Sequence, residues 1–140
     1  MTNTTVTDLA VGQTINGKTK FVTSYRTWQF SGGWPHREGW PAKNVHTDLE
    51  FAKTAGFPTR GASGAMLEGY LAELMVDTFG EEWLSNGAFT LKFIAIVDAY
   101  DKVTTKATVL SKADGKCELE VWCDNQRGEK VAVGAATARV

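Results

Sequence analysis

Cysteine, proline and histidine are all scarce in this chain: two, three and two residues respectively among 140. Two cysteines do not make a disulfide framework. Cys117 and Cys123 lie an even number of residues apart in one predicted strand, on the same side of it but separated by roughly 20 Å of extended chain, too far to bridge. They read as buried or surface thiols with no catalytic role. Charge of one sign is also lacking. Fifteen Lys and Arg against sixteen Asp and Glu give a net charge of −1, and no Lys/Arg cluster supplies the footprint that nucleic acid requires. No apolar run is long enough to span a bilayer, and Met1-Thr2-Asn3-Thr4-Thr5 has neither the basic start nor the apolar core of a leader, so the expected setting is the cytoplasm. No Cys/His spacing suggests a metal site, no Gly-rich phosphate loop follows a strand, and no nucleophile elbow occurs. The expectation is a chain with no metal, no cofactor, no nucleic acid and no membrane.

What remains suits one soluble globular domain over residues 1–140, large enough for a hydrophobic core. Asn16-Gly17 is a strong turn signal, and Lys20 to Phe30 reads equally as strand or helix. Ser31 to Pro41 holds three glycines and two prolines and must be a loop. It also carries Trp34, His36, Arg37, Glu38 and Trp40. His46 follows, just ahead of a helix-start signal in which Thr47 and Glu50 form a capping box and Asp48 adds charge to the first turn. That helix is expected to run from Thr47 to about Thr54 and to stop at Gly56 and Pro58. A longer helix is expected from Ala62 to Phe79, with Met66, Leu67, Tyr70, Leu71, Leu74 and Met75 forming an apolar stripe. Its start, Gly61 to Ala65, is almost bare of side chains, which permits close approach of a backbone or a ligand.

From Gly87 onward the pattern is that of strands: Phe89–Val97, Val103–Leu110, Lys116–Cys123 and Lys130–Arg139, with turns at Tyr100-Asp101-Lys102, Ala113-Asp114-Gly115 and Asn125 to Gly128. Cys117, Leu119, Val121 and Cys123 alternate with Glu118, Glu120 and Trp122, so one face is apolar. The expectation is a four-strand antiparallel meander closed over the long helix, an α+β domain.

The segment from His46 to Met66 resembles the MaoC-like, (R)-specific enoyl-CoA hydratase family of the hot-dog fold. Val45-His46-Thr47-Asp48, Glu50-Phe51-Ala52, Ala55-Gly56-Phe57 and Ser63-Gly64-Ala65-Met66 stand where that family's signature runs. The resemblance implies an antiparallel sheet wrapped around a central helix and a lyase of the hydratase/dehydratase type. It puts His46 on the family's catalytic histidine and Gly64 on the glycine whose backbone N–H supports the thioester carbonyl oxygen. Hydration of an unsaturated thioester builds negative charge on that oxygen and needs a base for the water, so both roles make chemical sense. It further implies a small-molecule substrate, CoA thioesters included, and a homodimer or higher homo-oligomer with each cleft built from two chains.

The chain departs from the family where a proton-handling aspartate belongs. Five residues before His46 stands Pro41, or Gly33 if the gap is put later, and neither moves a proton. Lys43-Asn44 replaces Asn-Pro, and Ser63 stands where many relatives have a second histidine. The ionisable residues of the preceding loop are the candidates for a substitute, Glu38 first and His36 second, with Trp34 or Trp40 as a wall for a flat substrate. Asn44 and Ser63 are further candidates for substrate contact, and Lys43, Lys53 and Arg60 are the nearest cations for CoA phosphates. Three alternatives stay open: an isomerase or dehydratase acting on a free cyclic or aromatic metabolite, a non-catalytic acyl-ligand-binding subunit, and thioester hydrolysis, since one fold hosts several reactions.

Overall fold

The computed structural model describes residues 8–140. The polar segment Met1–Thr5 lies outside them. The order of elements is β1 (Thr14–Phe21), α1 (Ser24–Ser31), α2 (Leu49–Thr54), α3 (Gly64–Phe79), α4 (Glu81–Asn86), β2 (Ala88–Phe93), β3 (Lys102–Ala113), β4 (Lys116–Asn125) and β5 (Lys130–Arg139). The strands form one antiparallel sheet in the order β1-β3-β4-β5-β2. It wraps around α3, giving the hot-dog arrangement within the α+β class.

Alternation places the core. Cys117, Leu119, Val121 and Cys123 of β4 are fully buried and pack with Val103, Ala107 and Val109 of β3 and with Leu67, Leu71, Leu74, Met75 and Phe79 of α3. Met66 is buried too, while Tyr70 is only half-buried. The two thiols are free. Burial, with the Asp124 charge nearby, pushes the Cys123 thiol up to about 12, so it stays protonated and inert. On the solvent side of the sheet the Lys130 ammonium lies 4.7 Å from the Trp122 ring centre.

Four details differ from the sequence reading. The Asn16-Gly17 turn is absent; β1 runs through it, and the turn signal appears instead as a shift of register between Asn16 and Thr19 against β3. The Lys20–Phe30 segment is both strand and helix, divided at Val22-Thr23, where the Thr23 hydroxyl accepts from Arg26 N–H and caps α1. The meander has three strands, β3-β4-β5; β2 ends at Phe93 and lies on the far edge beside β5, because residues 94–101 leave the sheet and cross its end. This crossing is fixed by Ala62 N–H to Val97 O, by a bridge between Gly61 and Asp98, and by bonds joining Val22 to Tyr100 and Asp101. Finally, α4 follows α3 directly after Gly80, whose φ is 59°.

Asp101 is therefore no hairpin-turn residue. It is buried, and its carboxylate accepts from the Asp98 N–H (3.0 Å), Gln126 Nε2 (2.7 Å) and Arg127 Nη1 (3.3 Å). Burial alone would push this carboxyl up; the three donors outweigh it, and its pKa is held below the ordinary value.

Candidate functional site

The approach to α2 is a knot of short-range hydrogen bonds. Asn44 accepts the His46 N–H through Oδ1 (2.9 Å) and donates through Nδ2 to Ser31 O (2.7 Å). Thr47, buried, donates to Ala42 O (2.7 Å) and accepts from Asn44 N–H (3.0 Å). The cap of α2 is Asp48, which accepts from Phe51 N–H at 2.8 Å, so the Thr47–Glu50 capping box is corrected by one residue. Thr47 is diverted because its hydroxyl closes the loop behind it. His46 consequently sits two residues before the cap, on a backbone pinned from both sides.

The side chain of His46 is fixed as firmly. Its Nδ1 lies 2.8 Å from the carbonyl oxygen of Gly61. A carbonyl only accepts, so Nδ1 carries the proton and, in the neutral ring, Nε2 holds the lone pair. Gly61 belongs to the stretch leading into α3, and a Cβ there would lie 2.7 Å from Ile96 Cγ2, closer than side chains approach.

His46 and Gly64 share one cavity of about 330 Å³, walled by Val45, Phe57, Leu67, Phe93, Ile96 and Val97 among others. Gly64 is the first residue of α3, where a backbone N–H has no partner within the helix. Ser63 is the N-cap and its hydroxyl accepts from Ala65 N–H at 3.3 Å. Gly64 is also a point of close approach: a Cβ there would stand 2.7 Å from Phe93 Cε2.

The 32–42 loop forms a different site. Trp34, Arg37, Glu38 and Trp40 line a separate pocket of about 220 Å³. Trp40 meets Trp28 and Tyr25 edge-on, with ring centres 6.3 and 5.9 Å apart, and lies 5.9 Å from the His36 ring. The indole N–H groups of Trp28 and Trp40 are buried without an acceptor among the described residues. Trp34 is 74 % exposed, with the Arg37 guanidinium 6.0 Å from its ring centre. Glu38 and His36 are exposed and do not line the His46 cavity of their own chain. Asn44 spends its amide on the loop and on His46. Among the cations, Arg60 turns inward to Ser24 Oγ (2.6 Å) and Thr47 O (3.4 Å), Lys53 is 3.5 Å from Glu50, and Lys43 is exposed. Among the described residues there is no group of three or more His, Cys, Asp and Glu that could hold a metal, and no helix long and apolar enough to cross a membrane.

Two parts of this site escape a reading by residue type. The Gly61 carbonyl that orients His46 is backbone and leaves no mark in the sequence. The wall from Phe93 to Val97 looks like the continuation of a strand; its only signal is that the alternation of Phe89, Leu91 and Phe93 gives way to consecutive apolar residues.

A sheet wrapped on one helix, with a histidine and a bare helix start facing one cavity, makes this a hot-dog domain with a candidate acid–base site. The comparisons agree. The MaoC like domain model matches residues 42–130, and the chain belongs to this family of dehydratases. The unliganded R-hydratase PhaJ1 of Pseudomonas aeruginosa is 25 % identical, with 97 % of this chain and 84 % of that one covered and a TM-score of 0.72. A MaoC-like dehydratase of Rhodospirillum rubrum (22 % identical, 96 % and 94 % covered, TM-score 0.73) and the ChsH1-ChsH2 complex of Mycobacterium tuberculosis (16 %, 94 % and 98 %, TM-score 0.74) share the fold. No curated protein matched the sequence.

Proposed function

We propose that this chain adds water across the double bond of an α,β-unsaturated acyl thioester, with His46 as the acid–base residue and the Gly64 N–H as donor to the thioester oxygen. The observation that carries the reading is the His46 Nδ1 bond to Gly61 O, which leaves Nε2 as the proton acceptor in a cavity that also holds the start of α3. Nε2 takes a proton from water as the water oxygen bonds to the β-carbon. The electron pair of the double bond moves toward the carbonyl oxygen, where the N–H stabilises it, and Nε2 then returns a proton to the α-carbon. Water is consumed and no other reactant is needed. CoA esters are the natural first substrates to try.

The missing aspartate bears on how fast this runs. Among the described residues of one chain, no carboxylate lines the cavity. Glu38 is our candidate for the second proton-handling group, His36 the reserve, each reaching the cleft from the loop of a second copy. A Glu38→Gln variant with unchanged turnover removes that role. The absent carboxylate also favours one second reading, a binding subunit that pairs with an active homologue.

The experiment is hydration of trans-2-enoyl-CoAs, followed by loss of the conjugated thioester absorbance, with wild type and His46→Ala side by side. Turnover abolished by the substitution supports the hydratase reading. No turnover in either protein, with thioester binding retained, supports the binding subunit. Release of free thiol would instead reveal hydrolysis.

A further inference from the structure

The Gly61 carbonyl that orients His46 lies between α2 and α3, in a stretch that is neither helix nor strand and is nevertheless held residue by residue. The Thr59 hydroxyl donates to Asp98 Oδ1 (3.2 Å), and Arg60 donates to Ser24 Oγ (2.6 Å) and Thr47 O (3.4 Å). Gly61 accepts from His46 Nδ1 (2.8 Å) and bridges to Asp98, and Ala62 N–H donates to Val97 O (2.8 Å).

Two of these contacts go beyond packing. Arg60 is half-buried, and among the described residues no carboxylate pairs with it; its charge is spent on two neutral oxygens, one of them the carbonyl of Thr47, next to His46. Its side chain closes a ring that runs from Thr47 O through Arg60 to Gly61 O and back through the imidazole. Asp98 heads a turn closed by Asp101 N–H to Asp98 O (3.1 Å), in which Tyr100 has a φ of 71°. A bulky residue disfavours that left-handed conformation, and it persists where the surroundings hold it. Two carboxylates do so: Asp98 Oδ1 accepts from Ala99 N–H (2.8 Å) and Asp101 Oδ2 from Asp98 N–H (3.0 Å). Since Asp98 Oδ1 also takes the Thr59 hydroxyl, the strained turn and the Gly61 stretch move as one unit.

We infer that Arg60 and Asp98 are positioning residues for His46: they hold the Gly61 carbonyl where it accepts from Nδ1, and so keep the neutral ring in the tautomer whose lone pair is on Nε2. Neither lines the cavity, and both act through Gly61. The consequence for rate rests on the hydratase reading, whereas the tautomer itself is measured without turnover.

Long-range ¹H–¹⁵N NMR spectra of the full chain at alkaline pH read the tautomer, and His36→Gln removes the second of the two histidines. Wild type is expected to carry the His46 proton on Nδ1. Asp98→Ala and Arg60→Met are each expected to lose that pattern, the two ring nitrogens moving toward a common averaged shift, while Asp98→Asn, which keeps the accepting oxygen, restores it. With crotonyl-CoA, both variants are expected to lose about tenfold in kcat with KM within about twofold of wild type. Val109→Ala, a cavity in the core away from the site, is expected to lower Tm and leave the nitrogen pattern unchanged. Thr59→Val deletes only the hydroxyl and carries the test if the other variants fail to fold. A wild-type pattern kept in Asp98→Ala and Arg60→Met, or in Thr59→Val when it stands alone, overturns the inference, as does a pattern lost equally in Val109→Ala. A wild-type His46 with its proton on Nε2 overturns the inference and the hydratase reading together. The expected patterns without hydration of any enoyl-CoA overturn the hydratase reading alone.

Discussion

His46 is held at three points: its N–H on Asn44, its Nδ1 on Gly61, and its neighbour Thr47 on Ala42. Removing the imidazole gives up the Gly61 bond and leaves the other two, so the His46→Ala variant is expected to lose about 10²–10⁴ in turnover while its melting temperature falls by only a few degrees. Calorimetric titration with butyryl-CoA checks that affinity is retained. Gly64 has two reasons to be glycine, its place at the helix start and the ring against it. Gly64→Ala is expected to displace Phe93 and lower both stability and turnover, measured by melting and by the absorbance assay. Asp101 gives a pH prediction. Its carboxyl titrates lower in the folded protein than in the unfolded chain, so its stabilising contribution is complete above the ordinary carboxylate range and is lost as pH falls through the lowered folded value. The wild type is thus expected to lose more stability on acidification than Asp101→Asn, a difference that urea melts at neutral and acid pH would show. At this scale the sequence points to His46 and Gly64, which the fold brings to one cavity, because a side chain and a missing side chain are both written in it. It conceals Gly61 as a partner, because only its carbonyl is used.

Elements were legible where a period was unbroken. The β4 alternation and the α3 stripe correspond to buried faces, and Ser63 and Gly56 mark helix ends as their chemistry suggests. Strand order was not legible, since nothing local tells β2 to lie beside β5 rather than β3. That choice is made by residues 94–101, whose bonds reach back to Val22, Gly61 and Ala62. Likewise Thr47 and Asp48 are both good caps, and a contact with Ala42 decided between them. One helix position looks unspent. Gly69 lies inside α3, and a Cβ there would meet nothing within 4 Å. Gly69→Ala is expected to stabilise the protein by about 1 kcal/mol, a rise of a few degrees in Tm by calorimetry.

At the scale of the molecule, the two sheet edges are unequal. β1 is interrupted by its register shift and carries Lys18 and Lys20, which pair with Glu73 and Asp77 of α3. β2 is regular along its pairing with β5, and exposed Phe93 and Ile94 stand at its end. An open regular edge beside apolar surface invites a second copy. Light scattering is expected to give twice the 15.3 kDa chain mass; a monomer at working concentration would count against it and against a Glu38 supplied in trans.

The loop between α1 and α2 is tied off at its neck, where Ala42 N–H donates to Gly32 O at 2.8 Å and Asn44 reaches Ser31 O. Chain between two stapled ends is a detachable cassette, since its closure entropy is already met by the neck and varies slowly with length. A graft from another member of the family, or a short spliced turn, can replace residues 33–41 without asking the sheet or α3 to readjust. The same neck lets descendants of this protein trade one loop for another, and revise the separate pocket that the loop encloses, while His46 stays where it is.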